Sequence, residues 1–459
     1  MKYANPALLN DFYQITMANG YFQAGISEKS ACFQLFFRKA PFLSNFAVAC
    51  GLENVIEYIH SFSFQDDDLE YLSSLRHANG KAIFEKIFLT YLKNLKLTCD
   101  IEAVPEGTIV FAQEPILKIT GPLLQCQLLE TPLLNILNFQ TLIATKAARI
   151  CQAAQNDEVT DFGFRRAHGF DGAISASRAA FIGGVHATSN VFAAKKYGIP
   201  VKGTLGHSWV MAFLREDEAF LAYADAMPEN CVFVVDTYQT VNGIQNAINV
   251  GQYLKKNNHR LLAVRLDSGN LAVLSQQARH MLDAAGFQDT QIIASGDLDE
   301  YQIARLKEAG APIDAWGVGT RLITAFEEPA LGGTYKLVAI KQENGWRHCR
   351  KISDDANKTT IPGATQVRRY QKAGRFVADI IYDAMASGPS TTHLAKDTQY
   401  ADLLIPVFEK GQCVYQTPVL EKIRSYAAAQ LSSLDPSCKQ LKNPSPYSVR
   451  VDSMLISRA

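Results

Sequence analysis

Several short runs in this sequence set charge beside glycine or hydroxyl in a way that suits a polyanion. They are Arg165-Arg166, Arg265 with Asp267, Gly296-Asp297 and Gly317-Val318-Gly319-Thr320. Guanidinium groups recognise phosphate or carboxylate through a planar, two-pronged fork. Glycines followed by a hydroxyl residue let backbone N–H groups approach phosphate oxygens. Taken alone, Gly-x-Gly-Thr reads as a tight turn. Several such runs in succession point to a phosphorylated ligand. Asp236 and Asp267 each follow an apolar run. There they can cap a following helix, bind sugar hydroxyls or hold a hydrated Mg²⁺, and these roles are compatible. His207 lies between Gly206 and Ser208. Beside a phosphate site it could act as acid, base or phosphoryl acceptor, or remain a hydrogen-bonded structural histidine.

These residues need a scaffold that brings them together. Strand-like runs fall at 159–164, 200–205, 231–235, 261–266, 291–294 and 315–318, with helical patterns at 175–197, 211–226, 241–256, 270–285 and 299–309. Such alternation predicts right-handed βαβ units in a parallel barrel or a doubly wound sheet. Nearly every strand ends in a polar or glycine residue: Arg165, His207, Asp236, Asp267, Asp297, then Gly319 with Thr320. A barrel gathers all its strand ends at one mouth, whereas an open sheet uses mainly its switch point. The fully decorated set favours the barrel.

The flanks read differently. Residues 7–24 carry a helical pattern capped near Asn10 or Asp11, 31–38 looks like a strand, and 100–119 has a period of two. The segment 123–154 is helical and mostly apolar. After 335 the alternation stops, and 336–342, 346–353, 365–370 and 377–382 read as a meander, followed by a β-like pair within 406–419, a helix over 421–434 and a polar tail. With no obvious core of its own, this C-terminal part is expected to pair with the β segment at 100–120. The expected division is 1–122, 123–335 and 336–459, the outer two forming one split domain.

At 459 residues the chain exceeds what one core supports. Lys plus Arg and Asp plus Glu both number 45. A neutral chain offers no global field for nucleic acid or an anionic membrane, so any anion site must be local. Nine cysteines without a C-x-x-C pair suggest reduced thiols in a cytoplasmic protein, and no run is long enough to span a membrane.

Collinear segments carry a specific resemblance. They are Asn10-Asp11-Phe12-Tyr13-Gln14-Ile15-Thr16-Met17, Phe36-Phe37-Arg38-Lys39, Asp161-Phe162-Gly163-Phe164-Arg165-Arg166-Ala167, Gly203-Thr204-Leu205-Gly206-His207-Ser208, Arg265-Leu266-Asp267-Ser268-Gly269 and Pro329-Ala330-Leu331-Gly332-Gly333-Thr334-Tyr335-Lys336. Together with Gly317–Thr320 they resemble nicotinate phosphoribosyltransferase. The resemblance implies an α/β fold, with an irregular, TIM-like α/β barrel and a split α/β sandwich domain from both ends of the chain. It also implies a head-to-tail homodimer with shared active sites. The implied reaction joins nicotinate and 5-phosphoribosyl 1-diphosphate into nicotinate mononucleotide and diphosphate, with Mg²⁺ and coupled ATP hydrolysis, in NAD salvage.

By the same resemblance, His207 matches the histidine phosphorylated by ATP. Phe162 and the partner's Tyr13 would sandwich the pyridine ring, with Thr204 and Arg265 beside it. Arg165 would hold phosphate, Asp236 and Asp267 would serve ribose hydroxyls and Mg²⁺, and Gly296, Asp297, Gly319 and Thr320 would complete the phosphoribosyl cradle. Nicotinamide-using relatives carry an acid on the helix after the Phe-Gly strand, and Ser189 matches that position. A hydroxyl can donate to a carboxylate that an acid would repel, which favours nicotinate. A nicotinamide- or quinolinate-using enzyme, or a non-catalytic sensor on the same fold, are the alternatives. His168, Phe170, Val185-His186 and Asn270 depart from the family pattern.

Overall fold

The computed structural model describes residues 6–350, 360–386, 388–390 and 398–457. The end of the expected 346–353 strand, at 351–353, lies outside them. The chain forms two compact units, Met1–Thr145 with Ala330–Ala459, and Lys146–Pro329.

The first unit is built on Ser30–Phe37, buried at every position after the first. Covered on both faces, it loses alternation and reads as one apolar run. It pairs antiparallel with Gly333–Gln342 on one side and Leu117–Pro122 on the other. Ile405–Glu409 pairs with Asp100–Ala103, so early and late segments share one seven-stranded sheet. A separate four-stranded sheet holds Gln399–Asp402, Thr365–Lys372, Arg375–Asp383 and Val449–Val451. Its last strand lies in what the sequence read as tail, and it adds parallel to Arg375–Asp383.

The second unit carries six parallel strands in the order Ala187–Thr188, Glu158–Asp161, Ala315–Val318, Gln291–Ala294, Ala263–Leu266, Val232–Val234. The first and last strands of the run, Glu158–Asp161 and Ala315–Val318, are paired neighbours. All other neighbours follow chain order, so the sheet curls as a half-barrel. The circle is interrupted between Val232–Val234 and Val201, which makes a single bridge to Thr188. The expected strand at 200–205 is therefore reduced to one bridge. Gly203 interrupts it, and glycine weakens a strand because it has no side chain there to pack.

Two expected helices also divide. The 175–197 pattern covers the second part of helix Gly169–Ile182, then the short strand Ala187–Thr188 and helix Val191–Tyr197. Gly183 ends the first helix, Gly184 adopts φ +114°, and Asn190 caps the second by accepting the Ala193 N–H at 3.2 Å. The 211–226 pattern is His207–Met211 followed by Glu216–Ala226.

Helix Glu130–Ala154 carries the chain into the second unit. There Lys146 and Arg149 meet the fully buried Glu300 at 2.6 and 2.9 Å. Removing one member would strand a buried charge.

Candidate active site

The carboxyl ends of the strands converge on a cluster of charged groups. Beyond Val232–Val234, the turn is fixed by Gly243 of helix Thr240–Lys256. A Cβ there would stand 2.1 Å from the Val235 carbonyl oxygen, so the helix reaches this strand end only through glycine. Asp236 follows, its side chain 2% exposed. Its Oδ2 accepts the Asp267 N–H at 3.2 Å and the Ser268 hydroxyl, while Oδ1 is buried with no hydrogen-bond partner.

His207 opens the helix His207–Met211 just past the interrupted strand. Its Nδ1 lies 3.1 Å from the Thr237 hydroxyl. Its Nε2 faces two carboxylates, Asp267 Oδ2 at 3.6 Å and Asp236 Oδ1 at 3.9 Å. The short helix is anchored by Trp209, whose indole N–H donates to the Ala219 carbonyl at 2.9 Å.

Arg265 donates to the Thr204 hydroxyl, and its Nε lies 4.0 Å from Asp267 Oδ1. Burial lowers the guanidinium pKa and the charge of Arg165 adds to this, against Asp267 and Asp236, which raise it. The group stays cationic at any working pH. Burial pushes the Asp267 carboxyl up, but the Ser295 hydroxyl bond with the charges of Arg265 and His207 leaves it below its ordinary value. Asp267 is therefore an anion held beside the Arg265 guanidinium. The structure thus joins His207, Asp236, Asp267, Arg265 and Thr204 at one place.

Phe162 follows Glu158–Asp161, and its N–H bonds to the Val318 carbonyl at 2.8 Å. Its ring lies over Gly317, where a Cβ would come within 2.5 Å of Cε2. Arg165 is exposed on the turn Phe164–Arg166. Ser189 sits in the turn between Ala187–Thr188 and Val191–Tyr197, not on a helix as its sequence context had implied.

Gly296 adopts φ +95° and Asp297 φ +55°. A Cβ on Gly296 would lie 2.0 Å from the Asp267 carbonyl oxygen, so glycine is required for the strand ends to approach. Gly319 precedes the short helix Thr320–Ile323 and passes close to the Phe162 carbonyl. Tyr13 belongs to the other unit, on helix Phe12–Gln23, and is 47% exposed.

Sequence reasoning missed Thr237, Ser268 and Ser295, although each adjoins a residue it selected. It also gave no role to Asp161, Ser177, Thr188 or Asn190. Asn270, where an acid is frequent in the family pattern, caps Leu271–Ala284 by accepting the Val273 N–H at 3.4 Å. His186 Nδ1 accepts the Val159 N–H at 3.1 Å, and Phe170 packs near Phe164 at 6.2 Å between ring centres. Among the described residues, no group of three or more His, Cys, Asp or Glu side chains could hold a metal ion.

Residues 8–138 match the nicotinate phosphoribosyltransferase N-terminal domain, 158–399 the nicotinate phosphoribosyltransferase family, and 385–457 the corresponding C-terminal domain. The chain belongs to this family. A nicotinate phosphoribosyltransferase of Bacillus subtilis (strain 168) is 44% identical over 461 positions, spanning 96% of this chain and 92% of the relative. The Homo sapiens nicotinate phosphoribosyltransferase is 32% identical, spanning 98% and 95%. The crystal structure of human nicotinic acid phosphoribosyltransferase superposes with TM-score 0.83 at 30% identity, covering 97% of this chain and 98% of that one. Nicotinate phosphoribosyltransferases are thus similar to this chain along both compact units. No helix among the described residues is long and apolar enough to cross a membrane.

Proposed function

We propose that the chain transfers the 5-phosphoribosyl group of 5-phosphoribosyl 1-diphosphate to nicotinate, giving nicotinate mononucleotide and diphosphate. The observation that carries this reading is the meeting of His207, Asp236, Asp267 and Arg265 within 4.0 Å contacts at the strand ends. The pyridine nitrogen attacks the anomeric carbon, the C–O bond to diphosphate breaks, and diphosphate leaves with the electron pair. The sugar passes through an oxocarbenium-like cation, so positioning and charge stabilisation do most of the catalysis. No general base is required, because the nucleophilic nitrogen bears no proton.

In this reading Phe162 offers one aromatic face to the ring, and Tyr13 of a second copy offers the other. Thr204, Arg265 and Ser189 orient the base, and Ser189 favours its carboxylate. Arg165, Gly296, Asp297, Gly319 and Thr320 hold the phosphoribosyl group. Asp236 and Asp267 serve ribose hydroxyls and Mg²⁺. The donor set suits that ion, since Asp236 keeps a buried, unpartnered Oδ1 beside Asp267, and Mg²⁺ commonly takes one or two carboxylates plus substrate phosphates. Bound there, it would neutralise charge on the diphosphate. ATP couples through His207: an imidazole nitrogen accepts the γ-phosphoryl group, ADP departs, and the two carboxylates balance the positive ring. Nine free thiols suit a cytoplasmic enzyme.

Incubation with γ-labelled ATP tests the coupling. Label should reach the wild-type chain and be absent from His207→Ala, which should retain slowed, uncoupled transfer. Undiminished ATP-coupled turnover in that variant would remove His207 from the role. Offering nicotinate, nicotinamide and quinolinate in steady state tests the base, and faster turnover of nicotinamide would overturn the Ser189 assignment. For the shared site, mixing inactive Tyr13→Ala and Arg265→Ala chains should restore part of the activity. Absence of recovery despite demonstrated subunit exchange would refute it.

A further inference from the structure

Asp161 is the last residue of the strand Glu158–Asp161 and is only 1% exposed. One carboxylate oxygen accepts the Gly163 N–H at 2.8 Å. The other accepts the hydroxyls of Ser177 and Thr188, each at 2.8 Å. Its backbone carbonyl accepts the Ser189 N–H, also at 2.8 Å. The two hydroxyl oxygens are themselves acceptors. Thr188 Oγ1 takes the Asn190 backbone N–H at 3.0 Å, and Ser177 Oγ takes the Asn190 side-chain amide at 3.2 Å.

The direction of this network is forced. An ionised carboxylate can only accept, so the two hydroxyls turn their protons toward residue 161 while their lone pairs take the Asn190 N–H groups. The Gly163 N–H arrives there from the opposite side. Three donors therefore converge on one side chain, and only an acceptor-only group satisfies all of them. An amide of the same shape would replace one acceptor oxygen with an N–H₂, so the Ser177 and Thr188 hydroxyls would have to turn their protons elsewhere. Burial raises the pKa of this carboxyl, and the bonds from Gly163, Thr188 and Ser177 oppose that rise without cancelling it.

We propose that Asp161 is a positioning residue that sets base selectivity, by holding the segment of Phe162 and the turn of Ser189 in one register. The inference rests on the reading of Phe162 and Ser189 as contacts to the base. Asp161 itself does not reach the substrate. It acts through the peptide of Gly163, which follows Phe162, and through the peptide of Ser189. The Phe162 segment and the Ser189 turn thus both hang from one residue, the first through its carboxylate and the second through its carbonyl and its bond to Thr188.

The test is steady-state kinetics of Asp161→Asn with each substrate varied in turn. The KM for nicotinate should rise about tenfold, while KM for 5-phosphoribosyl 1-diphosphate should change less than about twofold. The preference for nicotinate over nicotinamide in kcat/KM should fall by on the order of tenfold. The sign is informative. Were Asp161 only a nearby negative charge, neutralising it would tighten an anionic base, and KM would fall.

Thr188→Val, which removes one of the converging donors, should move the same ratio by a smaller factor, and Thr188→Ser should restore it. This pair keeps the question answerable if Asp161→Asn does not fold. Unchanged KM for nicotinate in both variants, with wild-type nicotinate turnover intact, would overturn the inference alone. A proportionate rise in KM for every substrate would also overturn it. A wild-type chain that did not use nicotinate would overturn the underlying reading of the site.

Discussion

Phe162 owes its place to the absence of a single carbon atom. Gly317 sits on the neighbouring strand, and a Cβ there would meet Cε2 and Cδ2 of the ring at 2.5 and 2.6 Å and the Ser295 Cβ at 3.3 Å. The ring therefore leans on the backbone of the neighbouring strand. Gly317→Ala must displace the ring or part the strands. Overpacking of this kind costs about 1–3 kcal/mol, which urea unfolding would measure. The KM for nicotinate should rise more than that for 5-phosphoribosyl 1-diphosphate. Combining it with Phe162→Leu should recover much of the stability but not the affinity. Equal losses in all three variants would mean that the ring and the glycine are independent. The sequence placed Gly317 in a phosphate cradle with Gly319. That expectation came from spacing, which carries no sign of a ring crossing from another strand. Asp161 stood in plain view beside Phe162 for the same reason: its meaning depends on Ser177, Thr188 and Asn190, which only folding brings opposite it.

At the scale of elements, the strands that read most clearly are those with an apolar run and a charged residue at the exit. Val232–Val234 with Asp236, and Ala263–Leu266 with Asp267, were visible because burial in a parallel sheet removes alternation and leaves polarity only at the ends. Ala187–Thr188 was not visible. Two residues carry no period, and the helical patterns on either side merged across them. Its loss from the reading displaced Ser189 from a turn to a helix. The 200–205 segment erred in the opposite direction. Its apolar residues suggested a strand, yet the sheet is interrupted there, and the non-strand segment from Gly203 to Gly206 delivers Thr204 and His207. The interruption places Thr204 against Arg265 and His207 against Asp267, contacts that a regular strand would have directed by alternation alone.

At the scale of the whole chain, the first unit must hold residues from opposite ends of the sequence, and a buried charge cluster takes part. Arg369, 1% exposed, meets the fully buried Asp379 at 2.5 Å, and Tyr447 donates its hydroxyl to the same carboxylate at 2.9 Å. The Tyr447 ring stacks on Phe111, with centres 4.0 Å apart. Glu114, also fully buried, faces this group with one oxygen accepting the Phe111 N–H at 2.9 Å. Burial and the charge of Asp379 raise its pKa well above the ordinary value, against Arg369 and the Phe111 amide, which lower it. One arginine faces two carboxylates here, and Glu114 holds its proton to a higher pH than an exposed glutamate does. An acid whose pKa is higher folded than unfolded binds more protons in the native state. Its contribution is therefore complete below the unfolded value near pH 4.3 and is lost as pH rises toward the folded one, with a limiting slope of about 1.4 kcal/mol per pH unit. Glu114→Gln has no proton to lose. Urea unfolding at pH 5 and pH 8 should show wild-type stability falling more steeply than that of the variant, the two curves converging or crossing as pH rises. Parallel pH dependences would mean that Glu114 ionises freely and that the cluster is held by Arg369 and Asp379 alone.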